Sequence, residues 1–104
     1  MEWIDSSADE RIDYIAGTNI TLIQSRSVFA FSIDAILLAR FVQVPIQKGR
    51  ILDLCSGNGV IPLVLTTRSK AVIDGVEIQD LLYKLALRNT TRNGKQGQVN
   101  FFSR

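Results

Sequence analysis

The chain contains no histidine, one cysteine, two prolines and one methionine in 104 residues. Without histidine it lacks the side chain most used as a base near neutral pH, and also the commonest metal ligand. A single cysteine excludes a disulfide framework within the chain and cannot alone form a thiolate metal centre. Its longest apolar stretches, such as Val60 to Leu65, are far too short to span a bilayer. The opening MEWIDSSADERIDY is acidic and has no apolar run, so it does not read as a secretory signal. A cytoplasmic, reducing setting is expected, with no membrane and no metal. Any chemistry must use carboxylates, amides, backbone groups or a cofactor.

What is present suits a folded protein of one domain: 46% of residues are apolar and the net charge is +2. The charge is unevenly placed. Glu2, Asp5, Asp9, Glu10 and Asp13 crowd the first thirteen residues around Arg11. After Asp80 there is no acid, while Lys84, Arg88, Arg92, Lys95 and Arg104 follow. Two readings of Lys84, Arg88, Arg92 and Lys95 stand: a solvated helix face, or a surface for a polyanion such as RNA.

Residues 1–10 read as a loose or helical lead-in. Arg11 to Ala16 and Asn19 to Gln24 are β-rich runs around Gly17-Thr18, which predicts a hairpin. Ser32 is a good N-cap, with Asp34 in the first turn. Ile33, Ile36, Leu37, Phe41 and Val44 then recur at helical spacing until Pro45 and Gly49. Strands are expected over 51–55, 71–76 and 98–102. Helices are expected over 60–67, with Pro62 in its first turn, and from a capping Asp80 to Arg92, carrying Leu81, Leu82, Leu85 and Ala86. Asn93-Gly94 ends the second. The order β-α-β-α-β predicts a parallel sheet with right-handed crossovers. Residues 1–49 form a hairpin and helix preceding this unit, which occupies 50–104.

The run Asp53-Leu-Cys-Ser-Gly57-Asn-Gly59 joins the first of these strands to a helix. Such a loop aims backbone N–H groups from a helix N-terminus, and glycine admits a ligand close to the backbone. Glu77 follows twenty residues after Gly57, at the end of the next strand, where a carboxylate can accept from both hydroxyls of a ribose. Rival readings are weaker in their parts. Asn58-Gly59 could turn a hairpin, but Pro62 spoils the strand that would follow. A dinucleotide fingerprint needs glycine or alanine where Pro62 stands, and a phosphate loop needs Lys-Ser/Thr where Val60-Ile61 stand.

The pattern Asp-x-x-x-Gly-x-Gly, with an acid ending the next strand, resembles the cofactor loop of class I S-adenosylmethionine-dependent methyltransferases. Three further segments carry a closer resemblance. They are Arg11-Ile-Asp-Tyr-Ile, the run from Gln24 to Phe41 containing Phe31-Ser32-Ile33-Asp34-Ala35, and Gly75-Val76-Glu77-Ile78-Gln79. Together they are similar to bacterial "small domain" RNA methyltransferases, among them enzymes that methylate N6 of an adenine in a valine tRNA. The resemblance implies an α/β, Rossmann-like fold, S-adenosylmethionine as cofactor and RNA, expected to be tRNA, as substrate. It implies Asp53 near the cationic methionine end of the cofactor and Glu77 on its ribose. Gly57, Asn58 and Gly59 fall in the loop, with Cys55 as a small side chain nearby rather than a nucleophile. Phe31 and Asp34 fall beside the methionine end, although core filling and helix-dipole roles compete for them.

Adenine-N6 enzymes of this kind carry an Asn/Asp-Pro-Pro-Tyr/Phe motif that holds and stacks the extruded base. Here prolines stand only at 45 and 62, so the motif is absent and no catalytic residue is assigned. The chain is expected to be the cofactor-binding N-terminal part of such an enzyme, ending after the third strand and inactive alone. Its strand over 51–54 would then present an apolar edge prone to self-association. Other acceptors (guanine, a protein glutamine, a small molecule) fit the same loop, and a non-catalytic RNA-binding module stays open.

Overall fold

The structure, a computed structural model, describes residues 2–3, 10–25, 33–54 and 56–104. Ser32, expected to cap the first helix, and most of the lead-in lie outside these ranges. The elements run β1 (Glu2–Trp3), β2 (Glu10–Tyr14), β3 (Thr21–Ser25), α1 (Ile33–Phe41), β4 (Arg50–Leu54), α2 (Val60–Leu65), β5 (Val72–Val76), α3 (Asp80–Arg92) and β6 (Val99–Phe102).

The hairpin forms, in the register Glu10↔Ser25 to Tyr14↔Thr21. Its connection is tied by Ile15 and Ile20 through a 3.1 Å backbone bond, with Thr18 Oγ1 accepting from Ile20 N at 3.0 Å. Gly17 takes φ 79°, a left-handed conformation that favours glycine. The lead-in, expected to be loose or helical, instead contributes β1, antiparallel to β2, so the hairpin is a three-stranded meander in the order β1-β2-β3.

The second sheet is parallel, in the order β4-β5-β6, with Asp53 opposite Gly75 and Gly75 opposite Phe101. This is the β-α-β-α-β pattern read from the sequence. One face of the sheet is apolar and covered: Ile73, Val99 and Phe101 join Val60, Leu63, Val64 and Ala86 in a single core. Ile15, Ile20 and Leu22 of the meander and Ile36 and Ala39 of α1 belong to that same core. The other face carries Leu52 and Leu54, both more than 60% exposed, and Phe102. An Arg50–Asp74 ion pair of 2.7 Å crosses it. Among the described residues β4 stands at one end of the sheet order.

The helices depart from expectation at their ends and on one face. α2 stops at Leu65, and Thr66 and Thr67 close it, their hydroxyls donating to the carbonyls of Leu63 and Val64. Pro62 is buried in its first turn, where its missing N–H costs nothing. α1 ends at Phe41, before Pro45, and turns Ile36 and Ala39 inward while Leu37 and Phe41 stay exposed. Asp80 does not cap α3. Gln79 is the N-cap, and Asp80 is the first helical residue, paired with Lys84 at 3.0 Å. Leu82, Leu85 and Ala86 are buried as expected, but Leu81 is exposed because it falls off their stripe.

Candidate functional site

The glycine loop sits where β4 ends and α2 begins, at the carboxyl edge of the parallel sheet. That is the edge at which open α/β sheets bind ligands. Ser56 N donates to Val76 O at 2.9 Å and Gly59 N donates to Ser56 O at 3.0 Å, so the loop is pinned to β5 and curled on itself. Gly57 and Gly59 take φ 59° and 93°, both left-handed. This is a strand–loop–helix, not a hairpin.

Three of the expected residues converge here. Glu77 is buried, and its Oε1 accepts from Gly57 N at 2.8 Å while its Oε2 accepts from Gln79 N at 2.8 Å. The acid thus spans from the loop to the N-cap of α3, and each oxygen keeps a further lone pair. Asp53 lies on the covered face beside Gly75. Burial, with the nearby Glu77 charge adding to it, raises its pKa from 3.8 to about 6. Asp53 Oδ2 and Ser56 Oγ are buried without a hydrogen-bond partner among the described residues. Buried polar atoms are nearly always paired, so these two, one on β4 and one in the loop that follows it, are open to a partner from outside the described residues.

The glycines divide into two kinds. A Cβ on Gly57 would meet nothing within 4 Å, so the loop faces open space there. A Cβ on Gly59 would come within 3.0 Å of Phe101 Cζ, and one on Gly75 within 2.6 Å of Phe101 Cε1. Gly59, expected in the cofactor loop, is thus held small by the Phe101 ring beneath it and by its left-handed φ of 93°. Asn58 is also turned inward: its Nδ2 donates to Gln24 Oε1 at 3.3 Å, which makes it a loop former.

The remaining expectations scatter. Phe31 and Cys55 lie outside the described residues. Asp34 is exposed in the first turn of α1. Of the basic set, Lys84 pairs with Asp80, and Arg88 makes a two-pronged pair with Glu10 at 2.6 and 2.9 Å. Arg92 Nε donates to Thr21 Oγ1 at 2.8 Å. Three of the four cations are thus engaged within the protein. Lys95 lines a polar cavity of about 670 Å³ with Thr18, Thr67 and Asn93, at the opposite edge of the parallel sheet from the loop.

Sequence reasoning passed over Ser56, Gln24, Asn89 and Phe101. Asn89 carried a usable signal, since it falls on the buried stripe of α3 with Leu82, Leu85 and Ala86. A polar residue in an apolar stripe needs a buried partner.

No family model matches the chain. Over 46 residues, 44% of the chain, it is 41% identical to tRNA1(Val) (adenine(37)-N6)-methyltransferase of Edwardsiella ictaluri, spanning 19% of that protein. TYW2 of M. jannaschii, solved with AdoMet, superposes with a TM-score of 0.79 at 17% identity, over 96% of this chain and 45% of its own. A methyltransferase of Thiobacillus denitrificans, solved with S-adenosyl-L-homocysteine, superposes with a TM-score of 0.60 at 24% identity, over 71% of this chain and 29% of its own. The chain thus spans about a fifth of the curated relative and less than half of either structure. The TYW2 overlay spans 96% of the chain, so the likeness extends beyond the parallel sheet.

Proposed function

Starting from a chain with the class I methyltransferase fold, we propose that it forms the S-adenosylmethionine-binding part of an RNA methyltransferase. The observation that carries this reading is the pair of unpartnered buried oxygens, Asp53 Oδ2 and Ser56 Oγ, beside a Gly57 that faces open space. The donor set fits that cofactor. A cationic group suits a buried carboxylate that is costly to ionise alone, and hydroxyls suit the spare lone pairs of Glu77 and Ser56.

When bound, the cofactor supplies a methyl group on a sulfonium, open to direct displacement by a nucleophile. The chain's own residues hold and orient. Asp53 provides the countercharge, favoured in its ionised form once a cation neutralises the site. Glu77 holds Gly57 and Gln79 while presenting its remaining lone pairs. The glycine loop leads directly into α2, whose first N–H groups have no acceptor within the helix. Phe31, Asp34 and Cys55 join the site by resemblance alone. None of the described residues is assigned to the acceptor.

The acceptor we propose is adenine N6 in a tRNA. Support comes from the Edwardsiella ictaluri relative, whose name states that reaction, and from the Gly75-to-Gln79 segment. The expected setting is cytoplasmic. Among the described residues no helix is long and apolar enough to cross a membrane.

The test is calorimetric titration with S-adenosyl-L-homocysteine, after circular dichroism has established that the chain is folded. Saturable binding is expected, weakened in Glu77→Ala by roughly 1–3 kcal/mol, the cost of leaving buried polar partners unpaired. A folded chain with no saturable binding would reject the site. Binding that Glu77→Ala leaves unchanged would remove Glu77 from it.

A further inference from the structure

A second polar assembly is buried behind the loop, made of groups the proposed site does not use. β3 is the edge strand of the meander, and its outward backbone groups lie at Thr21 and Ile23. Each is held by an asparagine, Asn93 at the C-cap of α3 and Asn89 within it. Asn93 Oδ1 accepts from Thr21 N at 2.9 Å, and its Nδ2 donates to Thr21 O at 2.7 Å. Asn89 Oδ1 accepts from Ile23 N at 2.5 Å, and its Nδ2 donates to Ile23 O at 3.1 Å. The spacing explains the fit. Four helical residues advance about 6 Å and two strand residues about 6.8 Å. Two asparagines at i and i+4 thus take the place of a neighbouring strand.

The two asparagines differ in one respect. Asn93 gives its other bond to Asn89 O at 2.7 Å, in the last turn of the helix it caps. Asn89, with no exposed surface, gives its other bond to Asn58 O at 3.0 Å, in the glycine loop. The Asn58 side chain is held in turn by Gln24 of β3, whose Nε2 donates to Asp13 Oδ2, and Asp13 pairs with Arg11 at 3.2 Å. The carbonyl of Asn58 belongs to the peptide it shares with Gly59. Holding that oxygen fixes the peptide plane, and with it the left-handed turn at Gly59 and the direction of the N–H groups that open α2.

We infer that Asn89 is a positioning residue of the glycine loop, and that through it and Asn58 the meander sets the cofactor cleft without touching the ligand. This rests on the cofactor reading for its consequence in binding, but not for its structural content. It gives the meander a role in the site, although its strands lie more than twenty residues from the loop in sequence.

The experiment compares Asn89→Ala with Asn93→Ala, because both open the same seam between β3 and α3 and only the first reaches the loop. Asn89→Ser serves if the alanine variant does not fold. It keeps a hydroxyl near Ile23 but is too short to reach Asn58. Amide resonances of Gly57 and Gly59 are recorded by NMR without ligand, and affinity for S-adenosyl-L-homocysteine is then measured. Both variants are expected to melt at lower temperature. Only the Asn89 variants should shift the Gly57 and Gly59 resonances, and they should weaken binding about tenfold while Asn93→Ala leaves it within twofold. Equal effects from both positions would reduce Asn89 to a general seam residue and overturn the inference. So would unshifted loop resonances in a folded Asn89 variant. If the wild type shows no binding, the cofactor reading fails, and the resonances alone still decide whether Asn89 positions the loop.

Discussion

Asp53→Asn should stabilise the protein and impair its function, with a pH signature that identifies the cause. The folded state holds the Asp53 carboxyl at a pKa of about 6 against 3.8 when free, chiefly through burial and secondly through Glu77. An acid raised in this way favours folding in its protonated form. Below pH 3.8 it is protonated folded or unfolded, and there is no penalty. As pH rises through about 6 the folded carboxyl must ionise in its buried place, and stability is lost. Unscreened, this displacement corresponds to roughly 3 kcal/mol. Asp53 is only partly buried, and screening by solvent brings the expectation to about 1–2 kcal/mol. The isosteric amide avoids the penalty, so the variant should match the wild type at pH 4 and exceed it by about 1–2 kcal/mol at pH 8. Urea unfolding at both pH values reads the difference directly. The same variant should bind S-adenosyl-L-homocysteine poorly, and wild-type binding should strengthen as pH rises through about 6, where Asp53 becomes a countercharge. A stability difference that does not change between pH 4 and 8, or a variant less stable than wild type at pH 8, would refute the reasoning.

Other perturbations test other parts of the structure. Gly75→Ala would place a methyl 2.6 Å from Phe101 Cε1 and 3.0 Å from Ser56 Cβ, and should destabilise by about 1–3 kcal/mol in thermal melts, with partial rescue by Phe101→Leu. Arg88→Ala should lower stability by up to about 1 kcal/mol through loss of the Glu10 pair, while tRNA affinity, measured by filter binding, should barely change. Leu52→Lys with Leu54→Lys should leave the melting curve nearly unchanged, since both side chains are already exposed. It should also abolish any concentration-dependent self-association seen by sedimentation.

The parallel sheet and its loop were legible in the sequence because each is a local pattern. A strand-length run, two glycines, a helical period and an acid at the next strand end all fall within thirty residues. The joint between the meander and α3 was not legible, because its bonds close over long separations. Asn89 meets Ile23, and Arg88 meets Glu10, across more than sixty intervening positions. The acidic N-terminus and basic C-terminal third therefore looked like separate surfaces when in part they neutralise each other. Leu81 and Asp80 show the usual uncertainty of one position in a helix start. Gly59 shows a subtler gap: periodicity reveals that a position must be small, but not whether a ligand or a ring requires it.

That last point has a consequence for how this architecture can vary among relatives. Gly59, Gly75 and Phe101 come from three different elements yet occupy one shared volume. They form a single packing unit of one large side chain and two glycines. A relative with leucine or valine at the position of Phe101 should tolerate alanine at 75 better than one that keeps the phenylalanine, with the 3.0 Å approach to Ser56 Cβ remaining. Substitutions at these three sites should accordingly be inherited in correlated sets, and Gly57, which faces open space, should vary independently of them.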